Sequence, residues 1–493
     1  MKKLILLLLA ITVSTISNAQ SEKEKVQATV SQSQIEGHIY FLADDLLKGR
    51  MTGTQENKIA ASYLANTLRG YGVKPNPLTG DYYQPVALQQ VSPPLNKMVK
   101  LNAMSLEKIA VLEASALQYS DNAVYAGYGL KDDYLNINAK GKVLIIKGGS
   151  SETQDTRAAF GLRNEKMELA LKAGAKGLIE LIQVEDQIWD FIDHNFNGPS
   201  LSVAGSDDSK MESEFTYVWA QDKEGGLATQ LSQNRAIVAD INISEAEKET
   251  ITSQNVIGVV EGTDPKLKNE YIIYSAHYDH VGIGTPDETG DDNYNGARDN
   301  AVGTTTVLSM AQHLAKYPTK RSALFILFTG EEKGLLGSEY YVANPVLPLN
   351  QMVYCFNSDN AGYNDTTVAT IVGLERTTAS KHIKEAAIAF GLTAIDDPAP
   401  EQGLFDRSDN VHFAKAGIPA PTFSLGFTAF NGDVTKYYHR PGDEADTLDY
   451  EYLFKFFSAY VMAGRSIGND PTTPVWTRGD KYEEAGKMLY GKE

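Results

Sequence analysis

The chain of 493 residues carries 45 Lys and Arg against 63 Asp and Glu, a formal net charge of -18, which argues against phosphate backbones or anionic membranes as partners. Its one cysteine, Cys355, excludes an intramolecular disulfide and a lipid-modified cysteine at a leader cleavage site, so stability rests on the core and any bound ions. Single cores stop growing near ~250 to 300 residues, so this length predicts two domains.

In chain order, Lys2 and Lys3 precede an apolar run from Ile5 to Val13, then Ser17, Asn18 and Ala19. This is the layout of a secretory signal peptide over 1–19, cleaved after Ala19; the run is too short to span a bilayer, and no later segment is apolar for long enough. The expected location is secreted or periplasmic, without membrane insertion. Val26 to Leu47 predicts a helix and Lys58 to Gly70 a second, with Ala60, Tyr63, Leu64 and Leu68 on one face. Residues 20–101 thus open the main domain. From 102 to 253 short β-like runs broken by Gly, Asp and Asn read as an inserted β-rich domain, with a helix Lys166 to Ala173 and a strand Gly177 to Ile182.

From Asn255, near-continuous apolar strands alternate with amphipathic helices. The strands are Val256–Val260, Tyr271–Ala276, Ala323–Phe328, Met352–Phe356 and Ala420–Leu425; the helices are Thr304–Lys316, Leu335–Ala343, Ala379–Phe390 and Glu451–Gly464. This pattern predicts an α/β fold over 254–469, a mostly parallel (mixed) sheet with helices on both faces. The tail, 470–493, holds Pro471, Pro474 and Trp476 before a charged helix-like end and is expected to pack along the outside.

In such a sheet reactive groups gather beyond the carboxyl ends of the strands. His277 and Asp279 follow the second predicted strand, Glu331 and Glu332 the third, and Asp359 the fourth; Asp299 precedes a helix and His439 lies in a loop beyond the last strand. Adjacent carboxylates such as Glu331 and Glu332 at the end of a buried strand need a cation, a proton or solvent. Two imidazoles and several carboxylates suit Zn²⁺ and also Mn²⁺ or Co²⁺. Two ions need about three protein ligands each with one carboxylate shared, a count these residues meet with Glu331 left for proton work.

The pattern His277-x-Asp279, Gly-Ala-x-Asp299-Asn300, Thr-Gly-Glu331-Glu332-x-Gly, Asn-x-Asp359 and Tyr438-His439 resembles the M28 family of two-zinc exopeptidases in order and spacing. It covers Gln254 to Gly468 closely and Gln34 to Gly80 loosely, and the section between is similar to the protease-associated domain inserted in such enzymes. The resemblance implies a phosphorylase/hydrolase-like zinc-peptidase architecture. It implies that His277 and Asp359 hold one Zn²⁺, that Glu332 and His439 hold the other, and that Asp299 bridges the two. It makes Glu331 the general base and Tyr438 a donor to the developing oxyanion, and it gives Asp299 a cis peptide bond to Asn300. Asp279, two residues beyond His277, is expected to hydrogen-bond that imidazole and fix its tautomer. The mechanism expected is attack by a metal-bridging hydroxide, with Glu331 moving the proton.

The segment Phe405-Asp406-Arg407-Ser408-Asp409-Asn410 resembles one in which the arginine lines the substrate pocket, so Arg407 is a substrate-binding candidate against a structural salt bridge. Asn410 stands where the family often has His, and Arg298 where an acid is common; Arg298 is expected to face solvent. His280 is expected to support the site rather than ligate. His412, like His38, His194, His313 and His382, is read as structural or exposed.

The function expected is a secreted zinc aminopeptidase acting on peptides. A glutamate-carboxypeptidase-like enzyme keeps the metals but needs cations to clasp a terminal carboxylate; a glutaminyl-cyclase-like transferase shares the fold but usually uses one metal. A non-catalytic binding module on the same scaffold is the remaining alternative, and its known examples lose ligands or the base.

Overall fold

A computed structural model describes residues 20–102, 104–154, 156–205, 215–234 and 236–491, without the side chains of 156, 157, 194 and 195. The predicted signal peptide and the His194 side chain lie outside the described residues. The chain divides into two compact units, one formed by residues up to Gln84 together with those from Gln254 onward, the other by Pro85–Ser253.

The first unit is built on a mixed sheet of strands β1 (Glu247–Val260), β2 (Tyr271–His277), β3 (Ser322–Phe328), β4 (Met352–Ser358), β5 (Val368–Val372), β6 (Thr393–Asp396) and β7 (Thr422–Leu425). Their order across the sheet is β6-β5-β7-β4-β2-β3-β1. The central β7-β4-β2-β3 run is parallel, while β1 joins β3 and β5 joins β7 in antiparallel register. Every residue of β3 and β4 is buried, as parallel strands covered on both faces require. Period-2 alternation divides them between two cores. Tyr274, Phe325 and Phe356 meet one set of helices, including Gly303–Lys316 and Tyr450–Asn469. Ile273, Ile326 and Cys355 meet Tyr341, Phe413 and Trp476 on the other face.

The predicted helix over Val26–Leu47 is broken: helices Glu22–Gln27 and Gln32–Leu42 are followed by a 3-10 turn Asp45–Arg50. Ser31, in extended conformation, interrupts the helix before Gln32, and Lys48 and Arg50 take positive φ, which ends regular helix. The next helix, Gln55–Gly70, begins at Thr54, whose hydroxyl accepts from Asn57 N. The tail does not merely lie outside: Trp476 is buried, its Nε1 donating to Gly417 O at 3.0 Å, and helix Glu483–Tyr490 follows.

The second unit carries a curled mixed sheet of eight strands running Met104–Ser105, Lys97–Leu101, Ile237–Ile243, Leu117–Tyr125, Val143–Lys147, Gly177–Ile182, Thr216–Gln221, Ile109–Ala114. Lys97–Leu101 pairs with Ile237–Ile243, so this unit begins at Pro85, ahead of the boundary at 102 expected from sequence. Under the helix Thr156–Lys172, Lys166 meets the fully buried Glu180, which also accepts from Trp219 Nε1 at 2.7 Å and from the Tyr217 hydroxyl. The pair is satisfied on all sides, as buried charge must be. This β-rich unit is consistent with an inserted protease-associated domain.

Candidate metal centre

The carboxyl ends of β2, β3 and β4 bring His277, Asp299, Glu331, Glu332, Asp359 and His439 into one cluster. His277 closes β2, and its carbonyl accepts from Thr304 Oγ1 at 2.7 Å, tying it to the helix that starts at Gly303. A Cβ on Gly303 would stand 2.2 Å from Asn300 Oδ1 and 2.4 Å from Ser358 O, so only glycine lets this helix approach the end of β4. Asn300 accepts from Gly303 N at 3.1 Å and donates to Ser358 O at 3.0 Å, and the Asp299–Asn300 peptide bond is cis.

Asp299 faces both imidazoles. Its Oδ1 is 3.3 Å from His277 Nε2 and its Oδ2 3.2 Å from His439 Nε2. Asp359 Oδ1 is also 3.3 Å from His277 Nε2, and Glu332 Oε2 is 3.1 Å from His439 Nε2. Two groups share Asp299, therefore: His277, Asp299 and Asp359 on one side, His439, Asp299 and Glu332 on the other, the second including His280. His280 Nδ1 contacts Glu332 Oε1 at 2.7 Å, so the nitrogen nearest the acids supports Glu332.

Asp279 behaves differently from expectation. The Nδ1 of His277 lies 3.2 Å from the Asp279 carbonyl oxygen and 3.8 Å from its carboxylate, so the main chain receives the imidazole proton. β2 ends at His277, which turns Asp279 off the strand. Its buried carboxylate instead accepts from Thr52 Oγ1 (2.8 Å), Glu331 N (3.2 Å) and Glu332 N (3.4 Å), fixing the turn that carries both glutamates.

Sequence reasoning also missed Arg50. Fully buried, it donates to Tyr278 O (2.8 Å), Asn295 O (2.5 Å), Gly296 O (3.1 Å) and Leu42 O, joining the segments that follow His277 and precede Asp299. With Asp44, Asp45 and Lys48 close by, the sequence around Arg50 reads as a solvated charged turn and carries no signal that this cation is buried. Arg298 does not face solvent: it is buried and paired with Asp443 at 3.0 Å. Arg407 is exposed and makes no ion pair among the described residues, which removes the structural salt bridge. Tyr438 stacks on His439, ring centroids 4.0 Å apart. Asn410 donates to Phe405 O and Ala420 O, a structural role, and the histidines outside the motifs bond locally: His38 to Tyr63 and Tyr71, His313 to Thr29, His382 to Asp470.

The protons separate the two glutamates. Burial pushes the Glu331 carboxyl well above the usual range, and the charges of Asp359, Glu332 and Asp409 add to the rise although His277 opposes it. Glu332 is also buried, next to Asp299, yet contacts with His280 and His439 bring it down to about 2. Burial disfavours a charged imidazole at His439, but the Asp299 and Glu332 carboxylates beside it raise it to about 10.

The residues fit divalent metal. Buried carboxylates converge on two imidazole nitrogens, and His439 Nε2, though near two acid oxygens, makes no hydrogen bond with them and is left unpartnered. Imidazole nitrogens facing clustered carboxylates are what a shared cation satisfies.

Fold and site together define an α/β scaffold of the metal-dependent kind, its candidate ligands projected from the carboxyl edge of a mixed sheet. Residues 255–463 match the model of peptidase family M28. Aminopeptidase YwaD of Bacillus subtilis is 28% identical over 332 residues, which span 66% of this chain and 62% of that protein. Leucine aminopeptidase 2 of Trichophyton rubrum is 25% identical over 475 residues, 90% of this chain and 86% of that one. The aminopeptidase from Aneurinibacillus sp. strain AM-1 shares the fold with a TM-score of 0.64 at 21% identity, covering 92% of this chain and 97% of that one. A zinc aminopeptidase from Bacillus subtilis does so with a TM-score of 0.54 at 20% identity, with the same coverage.

Proposed function

We propose that the protein is a secreted zinc aminopeptidase that removes N-terminal residues from peptides. The observation that carries the reading is the pair of ligand groups sharing Asp299, one oxygen turned to each imidazole. His277 and Asp359 would hold one Zn²⁺, His439 and Glu332 the other, with Asp299 between. Bound there, the ions supply Lewis acidity toward water and the scissile carbonyl.

Glu331 is the proton carrier. It stands at the end of β3, 4.0 Å from His277 Nε2, where it would take a proton from the attacking water and return it to the leaving amine. Asp279 positions it by holding the Glu331 and Glu332 amides. Tyr438, stacked on the His439 ring, would donate to the oxyanion. The acidic surroundings receive the ammonium of a free N-terminus.

Arg407 favours one alternative, since an exposed cation with no ion pair among the described residues could clasp a terminal carboxylate as in a glutamate-carboxypeptidase-like enzyme. A panel of aminoacyl anilides set against N-acylated peptides ending in glutamate separates the two. Hydrolysis of the anilides is the expected result; cleavage of the acylated peptides alone overturns it.

A further inference from the structure

Arg298 and Asp443 lie 145 residues apart in the chain and meet below the cluster, both almost fully buried. The Asp443 carboxylate accepts from three donors of the segment that carries Asp299: Arg298 N at 3.0 Å, Asp299 N at 3.2 Å and Arg298 Nη1 at 3.0 Å. The carbonyl of Asp443 takes Ala297 N at 3.0 Å. The guanidinium continues across the loop, donating to Thr447 Oγ1 at 2.7 Å and Thr447 O at 2.9 Å, and covers the Tyr437 ring at 4.0 Å. Tyr437, Asp443 and Thr447 bracket His439 in sequence. His439 itself is a third exposed and has φ of +50°, a backbone state that persists only where the surroundings hold it.

Resting on the two-metal reading above, we infer that Arg298 is a positioning residue that sets the His439 loop against Asp299 and thereby tunes the ion site formed by His439 and Glu332. The opposite site is held by other means. Thr304 fixes the His277 carbonyl, and Ser424 Oγ donates to Asp359 O at 2.7 Å. The clamp reaches His439 only through the loop and reaches Asp299 through its amide, so its loss acts on the two ion sites unequally.

A buried ion pair is by itself weak grounds for anything beyond structure, and the test must separate positioning from folding. Zinc affinity of the full chain is measured stepwise by competition with a chromogenic chelator at neutral pH, beside thermal melting of the metal-stripped protein. Arg298→Met removes the guanidinium and leaves Asp443 buried without its charge partner. The expected result is a fall of about ten- to a hundredfold in affinity for one ion, the range of lost supporting contacts in metal sites, with the other changed far less. Arg298→Met with Asp443→Asn removes the unpaired charge, so melting recovers while the selective zinc loss persists. Arg298→Lys keeps the charge for Asp443 but not the fork to Thr447 or the cover over Tyr437; it folds where the Met variant fails and shows a smaller loss of the same selectivity.

Equal losses for both ions that follow the melting temperature, or zinc affinity restored together with melting in the double variant, overturn the inference. Unmutated protein that takes up fewer than two zinc ions refutes the two-metal reading itself, a failure visible before any variant is made.

Discussion

Replacing Glu331 by Gln changes one oxygen for an amide and should separate catalysis from metal binding. The side chain is 11% exposed and its nearest charged surroundings are His277, Asp359 and Glu332, so an isosteric neutral group fits without strain. Losing a positioned general base costs about 10²- to 10⁴-fold in rate, equivalent to roughly 3 to 5 kcal/mol on the barrier. The ligand set is untouched, and zinc content should be unchanged. Stability moves the other way. Because the folded carboxyl holds its proton more tightly than an unfolded one near ~4.3, the native state binds more protons above that pH. Glu331 therefore opposes folding increasingly as pH rises through its folded value. The metal-stripped Gln variant lacks this loss and should melt higher than metal-stripped wild type at alkaline pH. Steady-state hydrolysis of an aminoacyl anilide, elemental analysis and melting curves measure the three quantities. A variant that keeps kcat within tenfold of wild type, or that loses zinc, refutes the division of labour between Glu331 and Glu332.

Asp279→Ala removes the acceptor of the Glu331 and Glu332 amides and should lower kcat about 10- to 100-fold with KM little changed; a change confined to KM counts against a positioning role. Burial holds His38 down to about 4, below an unfolded imidazole near ~6.5. The folded state thus binds fewer protons between these values, and stability present above ~6.5 is lost as pH falls toward 4, by up to about 3 kcal/mol. Urea unfolding across that window should be less steeply pH-dependent in His38→Gln, and an identical dependence would falsify this contribution. Secretion predicts a mature chain starting at Gln20, read from the intact mass of protein recovered outside the cytoplasm; a mass that includes residues 1–19 contradicts it.

The central strands were legible because burial on both faces leaves an unbroken apolar run, as in Ala323–Phe328, and the candidate ligands His277, Glu332 and Asp359 were legible because each follows such a run. Two strands at the far edge were not read. Val368–Val372 and Thr393–Asp396 are short, and the second is half-exposed, so neither has the continuous pattern of β3. The break near Ser31 was hidden because apolar spacing continues through it. Within the site, side-chain identity gave the candidate ligands but not their supports. The contact of His277 with a carbonyl rather than the Asp279 carboxylate depends on where β2 ends, and the Arg298–Asp443 clamp joins segments that only the folded topology brings together.

The central claim is that two metal ions share Asp299, and zinc stoichiometry measured alongside activity tests it most directly. Purified protein should bind two Zn²⁺ per chain, lose aminoacyl-anilide hydrolysis when a chelator removes them, and regain it on their return. Binding of one ion or none, or hydrolysis that survives complete metal removal, would contradict it.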